Sequence, residues 1–277
     1  MGQPAAMELR LLPGARRLLE LHARDLPQRD DLCGAFCGAL ALGAAGLTER
    51  GSELLDQDAV ALAAGSVVSG TREDGILPFG EAGRRDYRLG IPQIEDSDLS
   101  GTTALGVQEA IAELSDGLLA AIPFSGPWSP DSLGALFEQG AALEHPVALI
   151  ANFATHHLWG SRASAPQLLA YLLEGEQSGP PPDWRVGHFA CVVGRVSGPG
   201  GSLYVVADTY PALGNGGVHL QPAERLAAAL ARADMPAGGM LVVVFAEDAP
   251  AVRAGARAAG LREGIWDNGT IAAEARA

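Results

Sequence analysis

The chain is 277 residues long, 48% apolar and 19% charged, with a formal net charge of −14. It is long enough to bury a full core, has no uninterrupted apolar run approaching a membrane span, and is acidic enough to repel a phosphate backbone; neither a membrane nor a nucleic acid is expected as a partner. Every positive side chain is arginine, which excludes a lysine Schiff base and the lysine-dependent P-loop.

No basic stretch followed by an apolar segment opens the chain, which predicts a cytoplasmic protein. A lysine-free sequence rich in alanine, glycine and arginine is what a GC-rich bacterial genome encodes. The three cysteines, Cys33, Cys37 and Cys191, make no CxxC, and neither HExxH nor a paired zinc-type spacing is present. Free thiols are therefore expected, and neither a metal nor a cofactor is.

Residues 7–26 carry Leu18, Leu19, Leu21 and Leu26 at helical spacing and predict a helix leading into "DDLCGAFCGALALGAAG". This second helix takes Asp30 or Asp31 as its N-cap, buries Leu32, Phe36 and Leu40 on one stripe, and stops between Gly43 and Gly46. Further helices are predicted in "SELLDQDAVALAAG", "TALGVQEAIAELSDG" and "SPDSLGALFEQGAAL", capped by Ser52, by Thr102 or Thr103, and by Ser129. Near residue 145 the pattern changes. "HPVALIANFAT", "GHFACVVGRV", "SLYVVADTY" and "GGMLVVVFAED" read as strands, "SGPGGS" as a hairpin turn, "EQSGPPPDW" as an irregular loop and "QPAERLAAALARA" as a helix. Helices followed by strands predict one α+β domain over residues 1–277: a mainly helical lobe (1–145), a largely antiparallel sheet lobe (146–250) and a tail of helix and irregular chain (251–277).

Cys33 falls in the first turn of its helix, where partial positive charge and unsatisfied N–H groups favour a thiolate. Cys37, one turn on, and Cys191, on the strand face opposite His188, read as packing. Gly34 and Gly38 clear space beside the cysteines for a close neighbour, which makes Gly34 a candidate substrate contact. A nucleophilic thiol needs a histidine to take and return a proton, and a third group to orient that histidine. Of six histidines, His188 is placed best, at the start of its strand, and Asp208 closes the partner strand. Because side chains alternate faces, an odd loop or an even loop with a bulge puts this pair on one face; an unbulged even loop puts them on opposite faces.

Gln28, Cys33-Gly34, Cys37, "HPVALIANF", "GHFACVVG", "YVVADTYP" and "VHLQPAERLAAAL" together resemble the bacteriocin-processing, double-glycine-leader peptidases and their papain-like relatives, across residues 28–246. The resemblance implies a papain-like fold with Cys33 as nucleophile, His188 as general base and acid, Asp208 as orienting carboxylate, and Gln28 sharing an oxyanion site with the Cys33 N–H. There are departures. Gln28 stands five residues before Cys33, one fewer than usual; Leu32 replaces an acidic residue; the His-to-Asp hairpin is longer; and the insertion between residues 50 and 145 exceeds what such a peptidase needs.

The pair His156–His157 in "THHLWG" suggests a metal, but adjacent strand residues point to opposite faces and no carboxylate is spaced to join them; His157 and Trp159 are kept as substrate contacts. "EDSDLSGTT" lacks calcium-loop spacing, and "GPGGS" and "GNGGV" read as turns. The expected function is thiol-dependent chemistry on a peptide or small amide, by hydrolysis or acyl transfer. Two alternatives stand beside it: non-hydrolytic peptide maturation, such as thioether formation in a ribosomal peptide, and an inactive leader-peptide-binding module.

Overall fold

The computed structural model describes residues 7–71 and 77–273; the first six residues, on which the expectation about the chain start rests, and the last four of the expected tail lie outside it. Where the leucine spacing predicts one helix from residue 7, the chain forms strand β1 (Glu8–Leu11), turns at Gly14 with φ 79°, and only then enters α1 (Ala15–Asp25). Helix α2 (Cys33–Ala44) follows. Neither Asp30 nor Asp31 caps it: the N-cap is Leu32, and the two carboxylates instead accept the backbone N–H groups of Arg84 and Ser69 at 2.8 and 2.7 Å. Strands β2 (Glu49–Arg50) and β3 (Glu53–Leu54) occupy the stretch expected to start the next helix, so Asp56, not Ser52, caps α3 (Gln57–Ala63).

Two short strands, β4 (Val68–Ser69) and β5 (Gln93–Ile94), pair in parallel. Thr103 caps α4 (Ala104–Leu114), and Ser129 forms a reciprocal capping box with Ser132 at the start of α5 (Pro130–Ala141). Between these helices lies β6 (Leu119–Ser125), a strand in the half expected to be helical. The rest of the chain is β7 (Ala148–Ala154), α6 (Ala165–Glu174), β8 (Gly187–Ser197), β9 (Ser202–Ala207), β10 (Val218–Pro222), α7 (Ala223–Ala231), β11 (Gly239–Phe245), α8 (Ala249–Ala258) and β12 (Arg262–Glu263).

The main sheet runs β10-β9-β8-β7-β11-β6-β12, with β1 added to the far half of β8, and every pairing in it is antiparallel. The architecture is α+β. Its sheet draws β1 and β6 from the first 145 residues, so the expected division into a helical and a sheet lobe is not a division in space. Among the described residues no helix is long and apolar enough to cross a membrane.

Helix α2 is buried on all sides, not on one stripe: Ala35, Phe36, Cys37, Gly38, Leu40, Ala41, Leu42 and Gly43 are all inside. Its glycines explain how. A Cβ at Gly43 would lie 2.6 Å from Leu21 of α1, and one at Gly38 2.9 Å from Val60 of α3; one at Gly34 would lie 3.1 Å from Thr102 and 3.3 Å from Phe189 of β8. The helix is thus the axle of the helical layer, and its position fixes where Cys33 emerges.

The β8–β9 hairpin decides the relation of His188 to Asp208. Ser197 pairs with Ser202 around the four-residue loop Gly198–Gly201, an even loop that by itself would set the two residues on opposite faces. The register then shifts between Val192 and Gly194, so that Cys191 pairs with Ala207. That one extra residue turns Asp208 to the face of Ala190, and hence of His188, as a diagonal neighbour. The shift falls where β8 exchanges partners, from β7 (through Val192) to β1 (from Gly194), and a Cβ at Gly194 would lie 2.7 Å from Leu11 and 3.1 Å from the Arg10 carbonyl. Replacing Gly194 by valine should lower the unfolding free energy by about 1–3 kcal/mol through this overpacking; urea unfolding measures it, and a change under about 0.5 kcal/mol would show that the approach tolerates a side chain.

Candidate active site

Cys33 is the first residue of α2 and is half-buried, whereas Cys37 and Cys191 are fully buried in the core. Cys37 packs against Cys191, and burial, followed by its contact with Cys191, pushes the Cys37 thiol well up. These two are packing thiols. Cys33 instead opens on a cavity of about 470 Å³, lined also by Gln28, Trp184, His188, Tyr210 and Arg232.

His188, at the second position of β8, is 2% exposed. Its Nε2–H donates to Asp208 Oδ1 at 2.9 Å, with the Thr209 hydroxyl 3.2 Å away as a second acceptor. Trp184 and Phe153 meet the ring edge-on, with centroids at 5.0 and 6.0 Å, and Tyr210 stacks on it at 6.2 Å. Burial alone would pull the imidazole's pKa down; the Asp208 charge and hydrogen bond, and then a hydrogen bond and charge from Cys33, raise it to about 10. With Nε2 committed to Asp208, Nδ1 is the nitrogen left for Cys33. A protonated ring therefore faces the sulfur across the neutral range.

Asp208 is itself 2% exposed. Burial would raise its pKa, but the charge and hydrogen bond of His188, followed by His219, hold it well below the usual carboxylate range. Oδ1 also accepts the Thr209 N–H at 2.7 Å, and Oδ2 accepts His219 Nε2–H at 3.1 Å. His219 can donate from Nε2 because Gln221 Nε2 donates to its Nδ1 at 3.0 Å, and Gln221 is clamped by the main chain of Trp159, whose N–H and carbonyl both lie at 2.9 Å. From the other side His22 of α1 donates to the Asp208 carbonyl at 2.5 Å. Three of the six histidines therefore converge on one acidic residue.

Gln28 is 3% exposed and shares the cavity with Cys33. Asp31, at φ 64°, turns the short loop between them. Gln28 Nε2 donates to the Arg29 carbonyl at 3.3 Å; among the described residues its buried Oε1 has no partner and its second N–H no acceptor. The insertion and the tail are parts of the site: Ser100 and Thr102, ahead of α4, and Asn268 and Thr270, after β12, line the same cavity. Asn268 accepts the Ala104 N–H at 3.1 Å and donates to the Thr102 carbonyl at 3.2 Å, tying tail to insertion.

The candidate substrate contacts fare differently. Gly34 is enclosed by Thr102, Val107 and Phe189, and Trp159 is 3% exposed against Tyr171; neither lines the cavity. His156 and His157 are not on a strand but on a 3-10 turn (Thr155–His157), so both rings reach one carboxylate, contrary to the opposite-face expectation. Their Nε2 atoms lie 2.9 and 3.0 Å from Asp234, whose Oδ2 also accepts from Arg185 at 2.8 Å. Their ligand atoms lie within 4.8 Å of one another, a spacing that could hold a cation, and Arg185 already supplies a positive charge there. Sequence reasoning missed His219, Gln221, Asn152, Trp184, Tyr210 and Arg232. For the first two a signal existed: in "VHLQP" they alternate onto one face of a strand, an unusual place for two polar side chains.

A family model matches residues 12–267, nearly the whole chain. The protein belongs to DUF6885, a family of unknown function. The match spans His22 to Arg232, so the DUF6885 region contains the entire hydrogen-bonded chain around Asp208, while Asn268 and Thr270 lie just beyond it. No curated protein matches the sequence.

An unfolded histidine titrates near 6.5, so the stabilisation that His188 derives from its partners is complete below about pH 6.5 and is lost as pH rises through about 10. Histidine-selective NMR should find the His188 ring protonated from pH 6 to 9, with His22, whose pKa burial depresses, losing its proton at lower pH than an ordinary histidine. A His188 midpoint near 6.5 would contradict the pairing with Asp208 and Cys33.

Proposed function

We propose that this protein is a thiol-dependent acyl-transfer enzyme of papain-like type, acting on a peptide or another amide. The single observation that carries the reading is the order of groups in the cavity: a sulfur at a helix start, an imidazole beside it, and a buried carboxylate on that imidazole's far nitrogen. Cys33 attacks the acyl carbon as a thiolate while its proton resides on His188. His188 returns the proton to the leaving amine, and water or a second amine then releases the acyl group from sulfur. Asp208 keeps Nε2 protonated and Nδ1 directed at the reacting atoms. The helix-terminal N–H of Cys33 and the free Gln28 N–H are the donors for the developing oxyanion.

Iodoacetamide at pH 7 with mass-spectrometric peptide mapping tests the nucleophile. Cys33 should react at least about tenfold faster than Cys37 or Cys191, and His188→Ala should remove most of that advantage. Equal rates for the three thiols would end the reading and leave a binding module. Against a library of N-acyl peptides, Asp208→Asn should reduce turnover by about 10²–10⁴-fold and Gln28→Ala by about 10–10³-fold. Cleavage unaffected by Gln28→Ala would remove the oxyanion role from this residue. A reactive Cys33 with no cleavage at all would favour non-hydrolytic peptide maturation.

A further inference from the structure

Arg232 follows α7 at φ 46°, and its side chain reaches the wall of the Cys33 cavity with only 3% of the residue exposed. Among the described residues its hydrogen bonds are few and all to neutral acceptors. Nη1 donates to Asn152 Oδ1 at 2.6 Å and to the Ala237 carbonyl at 3.3 Å; Nε is sealed off without a partner. Among the described residues nothing accepts from Nη2. The nearest acid in sequence, Asp234, is already held by His156, His157 and Arg185. Burial depresses the Arg232 pKa and the Asp234 charge counters it only in part. A guanidinium stays charged under these conditions, so the fold keeps inside a cation whose charge is met only in part.

Its position gives that charge a use. Nη2 lies over Gly187, where a Cβ would come within 2.5 Å of it, and Gly187 immediately precedes His188. Asn152 holds the two together: Nδ2 donates to the His188 carbonyl at 3.3 Å, while Oδ1 accepts from Arg232 and, at 3.1 Å, from Trp266 Nε1. The cavity carboxylates, Asp31 and Asp98, come from other elements, the loop before α2 and the segment before α4. With Nη1 engaged and Nε enclosed, Nη2 alone can anchor an incoming group. A single-charged carboxylate fits that one donor; a phosphate, which spreads two charges over three oxygens, needs more.

We propose that Arg232 is a substrate-anchoring residue and that the cavity accepts amides carrying a free carboxylate close to the reacting bond. This rests on Cys33 being the nucleophile. The carboxylate can be a chain terminus or an acidic side chain, and thiol-directed probes separate the two: iodoacetyl-glycine, iodoacetyl-glycinamide, and iodoacetyl-glutamic acid with its α-carboxyl amidated. Rates of Cys33 modification in the full-length protein should favour a carboxylate probe over iodoacetyl-glycinamide by about tenfold or more, with saturation at rising concentration. Whichever acid reacts faster identifies the source. Arg232→Gln should bring the acid-to-amide ratio to about one, and Arg232→Lys should restore part of it. If Arg232→Gln does not fold, the wild-type protein still decides, because N-acetylglycine or the corresponding N-acetyl-glutamic acid α-amide should protect Cys33 from iodoacetamide and N-acetylglycinamide should not. Equal acid and amide rates without protection, or a preference that survives Arg232→Gln, would overturn the anchor. Failure of iodoacetamide to prefer Cys33 over Cys37 would instead overturn the nucleophile on which it rests.

Discussion

A carboxylate withdrawn from water must be met by donors, and the organisation around Asp208 follows from that requirement. Both of its oxygens are satisfied, by His188 and the Thr209 N–H on one side and by His219 on the other. Each imidazole can donate only if its second nitrogen is accounted for. For His219 that role falls to Gln221, and Gln221 is in turn held by the Trp159 main chain. For His188 the second nitrogen is left to Cys33. The polar chain therefore has a direction: it begins at a rigid backbone clamp and ends at a sulfur in an open cavity.

The elements that carry this chain come from distant parts of the sequence. Helix α2 presents Cys33 because glycines let α1, α3, α4 and β8 close around it. Strand β8 presents His188 in the correct relation to Asp208 because its register shifts where β1 replaces β7 as a neighbour. The cavity is completed by the segment before α4 and by the tail after β12, which are joined to each other through Asn268. The polar network is buried at its base, where Gln221, His219, Asp208 and His188 all lie inside, and it ends at Cys33, half-buried on the cavity.

The charge distribution within the cavity contrasts with that of the whole molecule. A chain with a net charge of −14 lines this cavity with Arg185, Arg232 and a protonated His188 as well as with Asp31 and Asp98. The Asp234 cluster at its margin, with two histidines and Arg185 on a single carboxylate, keeps that acid from neutralising Arg232.

Much of this was legible in the residues alone. Helical spacing marked α2 and α4, hydroxyl caps at Thr103 and Ser129 marked two helix starts, and apolar runs marked β7, β8, β9 and β11, because these signals depend only on near neighbours in the chain. Cys33, His188 and Asp208 stood out by the same local logic: a thiol at a helix start and polar residues at strand ends. What the sequence could not determine was whether the last two share a face, since that depends on a register shift at the point where β8 passes from β7 to β1, a strand more than 180 residues away along the chain. It also could not show that His219 and Gln221 stand behind Asp208, that Arg232 reaches the Cys33 cavity, or that His156 and His157 meet one carboxylate. Local periodicity says which way a side chain leaves its own strand or helix; only tertiary packing decides what it meets there.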